Sequence, residues 1–287
     1  MEKSHHSQPA VNFLPGDPLA GFRILHELGR GGESQVYLAQ RSADGLQFAL
    51  KVSSQAFREA TILERLNHPG IVPLHSWQEL ETCDVLVLKH LTGPSLADRL
   101  NPSHPSASEI PKGSGKRRRF ACQILLELAN AVEHVHSKGI WHLDIKPENI
   151  LFDENNRPVL IDFSVARVAQ DKIETSSKVG GTLAYMSPEQ LTELSGTPSD
   201  NGKVDSRADI YALGAVFYEL LTGQQLFPLL DTNQGVVESA REALGERLRP
   251  DRLRSQIGKL PPRERAIVTR CLAPLKQNTV GPVRYPS

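Results

Sequence analysis

The hydrophobic rhythm of this chain changes at Gly93, and that change limits it to folds with a sheet-rich first part and a helical second part. From residue 22 to about residue 52, short apolar alternations are broken by glycines and by the turn Ala43-Asp44-Gly45, the pattern of antiparallel strands joined by hairpins. Residues 57–66 put Ile62, Leu63 and Leu66 at helical spacing, and Asn67-His68-Pro69-Gly70 stops that helix. Strand character resumes at residues 71–73 and 85–88. Beyond Gly93, Phe120, Ile124, Leu128, Ala131, Val132 and Val135 form the stripe of an amphipathic helix over residues 120–136. An α+β architecture follows.

Composition narrows the function classes more than the fold. The 287 residues suffice for one large domain or for two ordinary ones, and 39% hydrophobic with 23% charged residues describes a folded globular chain. Lys plus Arg equals Asp plus Glu at 33 each, so charge gives no reason to expect nucleic acid or an anionic membrane as partner. Cys83, Cys122 and Cys271 are widely spaced and contain no C-x-x-C pair, which fits reduced thiols in a cytoplasmic setting. Residues 1–8 are polar, lack the features of a secretory signal, and begin a lead-in to about residue 20 that is expected to be disordered. Residues 210–222 are too few for a membrane span and include Glu219, so a buried core helix is expected there and no span anywhere. Residues 101–119, rich in Pro, Ser, Gly and Lys/Arg, read as a solvated loop whose run Lys116 to Arg119 could alternatively dock an acidic partner. Residues 192–205 read as an inserted surface loop.

Three motifs carry chemistry. Leu28-Gly29-Arg30-Gly31-Gly32-Glu33-Ser34-Gln35-Val36 is a Gly-rich turn between two expected strands, where missing side chains let backbone N–H groups approach phosphate oxygens. A plain hairpin turn reads the same way, and the helix start and Lys-Ser/Thr ending of a Walker-type loop are absent. Lys51 lies in the apolar strand Phe48-Ala49-Leu50-Lys51-Val52, either as an edge charge reaching solvent or as a phosphate ligand held by a carboxylate, for which Glu59 is the best candidate. The third and strongest is His142-Leu143-Asp144-Ile145-Lys146-Pro147-Glu148-Asn149-Ile150-Leu151, followed by Ile161-Asp162-Phe163-Ser164. One polar turn there gathers a potential base, a cation and a carboxamide, with a second carboxylate nearby.

In these motifs and their order the chain resembles the protein kinase family, specifically the bacterial kinases of eukaryotic Ser/Thr type, over nearly all of residues 22–287. Ser187-Pro188-Glu189 matches the end of that family's activation segment. Asp209-Ile210-Tyr211-Ala212-Leu213-Gly214 matches the buried helix that anchors its catalytic loop, and Arg270-Cys271-Leu272 the start of its last region. The resemblance implies one kinase domain over residues 21–287. Its N-lobe, a small antiparallel sheet with one regulatory helix, would end near residue 90, and a larger helical C-lobe would follow from residue 91.

It implies ATP and Mg2+ as cofactors and a protein substrate with a Ser/Thr acceptor, the latter from Lys146 and from Thr182 in Gly181-Thr182-Leu183-Ala184. Asp144 would accept or orient the substrate proton, Lys146 would neutralise the transferring phosphoryl group, and Asn149 and Asp162 would hold the metal. Lys51 would bind the α and β phosphates while paired with Glu59, under a loop that includes Gly29, Gly31 and Ser34. Leu28, Val36 and Ala49 would lie above the adenine and Leu151 below it, with Leu88 at the back of the pocket and the backbone from Lys89 to Leu91 as the hinge.

Several positions depart from the family pattern. Ser34 stands at the third glycine of the loop, and Leu143 where many kinases carry an arginine that grips a phosphorylated activation segment. Activation by loop phosphorylation is therefore not expected, while Thr175, Ser176, Ser177 and Thr182 remain candidate autophosphorylation sites. Ser164 replaces the glycine after Asp162-Phe163 and is expected to restrict that segment. The interval from Lys51 to Glu59 is short, which predicts a regulatory helix without its first turns, and Arg284-Tyr285-Pro286-Ser287 stands where the family's final helix would follow. The alternatives to an active kinase are a pseudokinase that signals by conformation and a small-molecule phosphotransferase on a similar fold.

Overall fold

Strand parity builds the N-terminal lobe in the computed structural model, which describes residues 12–31, 34–53, 56–81, 83–169, 182–196, 203–228 and 235–273. Strands β1 (Pro18–Leu19), β2 (Phe22–Arg30), β3 (Ser34–Arg41), β4 (Gln47–Ser53), β5 (Leu74–Glu79) and β6 (Asp84–Lys89) form one antiparallel sheet in the order β1-β2-β3-β4-β6-β5. Because side chains alternate across a strand, Tyr37, Ala39, Leu50, Val52, Val85 and Val87 pack together on one face. Leu86 and Leu88 pack on the other with Ala56, Ala60 and Leu63 of helix α1 (Ala56–Leu63).

The outer face is covered by residues the sequence assigned to a disordered lead-in. Phe13 meets the Tyr37 ring edge-on at 5.7 Å, and Ile24 donates its N–H to the Asp17 carbonyl at 2.9 Å. Residues 12–20 thus complete the lobe, whereas residues 1–11 lie outside the described part.

The C-terminal lobe comprises α2 (Leu96–Leu100), α3 (Ser114–Ser137), β7 (Ile140–Trp141), β8 (Ile150–Phe152), β9 (Pro158–Leu160), β10 (Arg167–Val168), α4 (Pro188–Ser195), α5 (Arg207–Thr222), α6 (Val236–Arg247), α7 (Pro250–Ile257) and α8 (Pro262–Cys271). Helix α5 is the buried core helix its composition predicts. Gly214 is required there, since a Cβ on it would lie 2.5 Å from Cys271 Cβ of α8. Among the described residues no helix is long and apolar enough to cross a membrane.

Three local expectations need correction. Ile71 makes only an isolated bridge to Leu160, and the strand expected at residues 71–73 begins at Leu74, because Pro69-Gly70 and Pro73 interrupt the ladder. Residues 192–195 are not loop but the second half of α4, which ends at Gly196 in a left-handed cap with φ 63°. Residues 101–119 are not one solvated loop: they contain a 3-10 turn at Pro105–Glu109 and the opening of α3, so Lys116 to Arg119 are helical.

Cations at a helix N-terminus oppose its dipole, which is why the sequence reads against a helix there. The fold compensates through tertiary partners. Arg117 Nε donates to the Leu220 carbonyl near the end of α5 at 2.7 Å, and Arg118 pairs with the buried Glu264 of α8 at 2.9 Å. Two of the run's four charges are therefore interhelical clamps. Arg117→Ala is expected to lower stability by about 1–2 kcal/mol in urea unfolding, through loss of a charged hydrogen bond to a helix terminus.

Candidate active site

Charged side chains from three separate elements converge beneath the sheet. Lys51 shares the cleft face of β4 with Ala49, and its Nζ donates to Glu59 Oε1 at 2.8 Å, Glu59 Oε2 at 2.6 Å and Asp162 Oδ1 at 2.7 Å. Both Lys51 and Glu59 are buried. Helix α1 has only eight residues, as the short interval predicts, yet it delivers Glu59 from its first turn. The Phe163 N–H donates to Glu59 Oε1 at 3.0 Å, so one carboxylate fixes both the lysine and the segment after Asp162.

Burial alone would lower the Lys51 pKa, but the Glu59 and Asp162 carboxylates override it and raise the value. Burial would raise Asp162, and the Lys51 ammonium instead holds it well below the usual carboxylate range. The signs give a pH window. The depressed carboxyl contributes stability above its unfolded value of about 4, lost as pH falls through the folded value. The raised ammonium contributes below about 10.4, lost as pH rises through its folded value. Urea midpoints should therefore be insensitive to the Lys51–Asp162 pair from about pH 5 to 9, and Asp162→Asn should flatten the acid limb below about pH 4.

The catalytic-loop candidates lie between β7 and β8. Asp144 Oδ2 accepts from Lys146 Nζ at 2.8 Å and from Asn149 Nδ2 at 2.9 Å. Its Oδ1 is buried and has no hydrogen-bond partner among the described residues. Asn149 Nδ2 also donates to the Asp144 carbonyl at 2.9 Å, which turns the amide nitrogen inward and leaves Asn149 Oδ1 as the acceptor. The Asn149 carbonyl accepts from Ile161 N at 3.0 Å, opposite the β8–β9 ladder, and so sets Asn149 beside Asp162.

Asp209 at the start of α5 suspends this loop. Its Oδ2 accepts from His142 N at 2.9 Å and from His136 Nε2 at 2.8 Å, and its Oδ1 accepts from Leu143 N at 2.7 Å. Since a carboxylate only accepts, His136 carries its proton on Nε2. The anchoring holds Leu143 at φ 64°, and Asp162 nearby sits at φ 62°, conformations that cost a non-glycine residue about 1–3 kcal/mol and persist only where surroundings impose them. His142 completes the join, with Nε2 3.1 Å from the Ile161 carbonyl and its ring 4.5 Å from that of Phe163.

The apolar candidates separate by exposure. Leu28 is 44% exposed, and Val36, Ala49 and Leu151 are half-buried, so they border the cleft and are not closed core; Leu88 and Leu91 are buried. Cross-strand pairs Val36–Lys51 and Ala49–Leu88 bring these side chains next to the lysine. The Lys89 N–H is bonded to the Pro73 carbonyl at 3.0 Å, while the Leu91 N–H makes no backbone bond among the described residues. In the Gly-rich turn, Gly31 N donates to the Ser34 carbonyl at 2.8 Å; Gly32 and Glu33 lie outside the described residues.

The donor set fits a magnesium ion. Asp162 is one-third exposed with its Oδ1 engaged by Lys51 and by Ser164 N at 3.3 Å, and Asn149 keeps a carbonyl oxygen, two hard oxygen donors. No group of three or more His, Cys, Asp or Glu side chains among the described residues could hold a metal. That also fits, because magnesium is commonly bound by one or two side chains plus substrate phosphates.

A family model described as protein kinase domain matches residues 22–277. The chain belongs to the protein kinase family. This kinase domain is 36% identical over 237 residues to a DNA damage-responsive serine/threonine-protein kinase, RqkA, of Deinococcus radiodurans, covering 78% of this chain and 33% of that protein. It is 33% identical over 224 residues to the serine/threonine-protein kinase pkn2 of Myxococcus xanthus, covering 72% and 25%. It is 33% identical over 221 residues to the serine/threonine-protein kinase PknD of Mycobacterium tuberculosis, covering 72% and 30%. The matched region spans a third or less of each of these relatives.

Some participants in this kinase site gave no signal in the sequence. His136 reads as one polar position on α3, and only the crossing of α3 with α5 brings it to Asp209. Gln190 forms a capping box with Ser187 at the start of α4, and its Nε2 also donates to the Leu143 carbonyl at 2.9 Å. Thr175, Ser176, Ser177 and Arg284 lie outside the described residues, and Thr182 belongs to a 3-10 turn at Thr182–Ala184.

Proposed function

We propose that this chain is the catalytic domain of a serine/threonine protein kinase, which transfers the γ-phosphate of ATP to a Ser or Thr hydroxyl of a protein substrate. The observation that carries the reading is the Asp144 carboxylate. Lys146 and Asn149 hold one of its oxygens, and the other is buried with no partner among the described residues, placed to accept a hydroxyl proton. Lys146 then offers its charge to the phosphoryl group as it moves, and Lys51, fixed by Glu59, meets the phosphates on the donor side. The residues that would hold Mg2+ are Asp162 and Asn149, and the ion supplies neutralisation of the phosphate charge. Leu28, Val36, Ala49, Leu151 and Leu88 would enclose the adenine, with the hinge from Lys89 to Leu91 at its edge.

Phosphoryl transfer asks a protein chiefly for positioning and for cations around developing negative charge, and this site supplies both. A cytoplasmic location accords with the wide cysteine spacing, which contains no C-x-x-C pair, and with an ATP-dependent reaction. The test is incubation of the purified chain with Mg2+, radiolabelled ATP and a generic basic protein, with Asp144→Asn alongside. Label on serine or threonine with the wild type alone supports the proposal. ATP-dependent thermal stabilisation without label would instead favour a pseudokinase.

A further inference from the structure

Helix α4 follows the segment on which a protein acceptor would dock, and two of its side chains one turn apart tie it to the catalytic loop and to β10. Gln190 Nε2 donates to the carbonyl of Leu143, the residue before Asp144. Glu193, three positions on and so on the same helix face, receives both ends of the Arg167 guanidinium, at 3.2 Å from Nη1 and 2.8 Å from Nη2. Arg167 lies on β10, where it pairs across the ladder with Trp141 of β7, the strand that leads into the catalytic loop. The pair is well shielded, at 17% and 22% exposure, and a bidentate fork in that setting is strong, directional and little screened by salt.

Other cations of this region are also engaged within the fold. Arg207 is held by Asp205 through Nε and Nη2, and Arg58 donates to the Ala166 carbonyl at 3.3 Å. Leu143, where the family pattern has an arginine, is buried against Val204, Ala208 and Trp141. Hydrophobic packing there replaces a charge that would need an external anion.

We infer that Arg167 and Glu193, with Gln190, form a built-in latch that positions α4 against the catalytic loop, so that protein-substrate phosphorylation by this domain needs no prior phosphate on its own chain. The inference rests on the kinase reading above. These are positioning residues: they act through Leu143 and β7 on Asp144 and through α4 on the acceptor. A carboxylate of the fold fills the role that a phosphate would fill opposite an unpaired arginine.

The experiment compares wild type, Glu193→Gln, Arg167→Gln and the swapped double variant Arg167→Glu/Glu193→Arg, by kinetics and by amide hydrogen exchange. Phosphatase-treated wild type, confirmed phosphate-free by mass, is expected to keep its rate within about twofold. Each single variant is expected to raise KM for the protein acceptor about tenfold with KM for ATP unchanged, and the swap to restore most of the loss. Exchange at Val168 and Ala169 should quicken in the single variants and slow again in the swap. A tenfold fall on dephosphorylation would overturn the inference, as would wild-type acceptor KM in both single variants. If the wild type transfers no phosphate, the kinase reading fails, and the exchange arm still judges the latch: unchanged protection in the single variants overturns it.

Discussion

Asp144→Asn is expected to reduce kcat by about 10³-fold while leaving ATP affinity within about twofold of wild type. Asparagine preserves the volume of the side chain and an oxygen for the hydrogen bonds from Lys146 Nζ and Asn149 Nδ2. It removes the carboxylate whose second oxygen is buried and unpartnered among the described residues, and an amide cannot take up a hydroxyl proton. The nucleotide side of the site, centred on Lys51 with Glu59 and Asp162, has no hydrogen bond to Asp144. Single-turnover transfer and equilibrium ATP titration on the same preparations separate the two effects. Equal transfer rates in variant and wild type would remove Asp144 from the mechanism.

The second large effect is expected at Asp209, which touches no reacting group. Asp209→Ala strips the acceptor from three donors, the His142 and Leu143 N–H groups and His136 Nε2, in a place where water has little access. Each stranded buried donor costs about 1–3 kcal/mol, and the left-handed backbone at Leu143 loses the bond that holds it there. The combined loss should be about 4 kcal/mol, or roughly 10 °C in Tm for a domain of this size, with transfer activity falling as the loop relaxes. Calorimetry of Asp209→Ala against Asp209→Asn checks the cause, since asparagine retains one acceptor oxygen and should recover part of the stability. A Tm for Asp209→Ala within a degree of wild type would show that the loop is held by other means.

The residues of the site were legible where local pattern and chemistry agree. Lys51 stands out because a charge interrupts an apolar strand, and its parity with Ala49 already assigns it to the same sheet face as the adenine candidates. Glu59 could be named as its best candidate partner from its place at the start of the following helix, although the eight-residue helix that carries it is shorter than the 57–66 segment suggested. The opening of α3 was illegible because Lys116 to Arg119 contradict the dipole of the helix they begin, and their partners are on α5 and α8, about a hundred residues or more away. The helical residues 192–195, which end at the left-handed cap Gly196, are likewise hidden among the polar residues of the 192–205 segment.

By itself, then, the sequence determined the sheet-rich first part and the helical second part, the Gly-rich turn, the strand lysine, the loop from His142 to Leu151 and Asp162, because each depends on residues a few positions apart. Tertiary structure alone decided the rest. It brought Lys51 within 2.7 Å of Asp162, 111 positions along the chain, left Asp144 Oδ1 without a partner among the described residues, and joined Arg167 to Glu193. The reason is physical: a buried charge or orphaned oxygen acquires its properties from whatever the packed core places beside it, and that neighbour is chosen by topology.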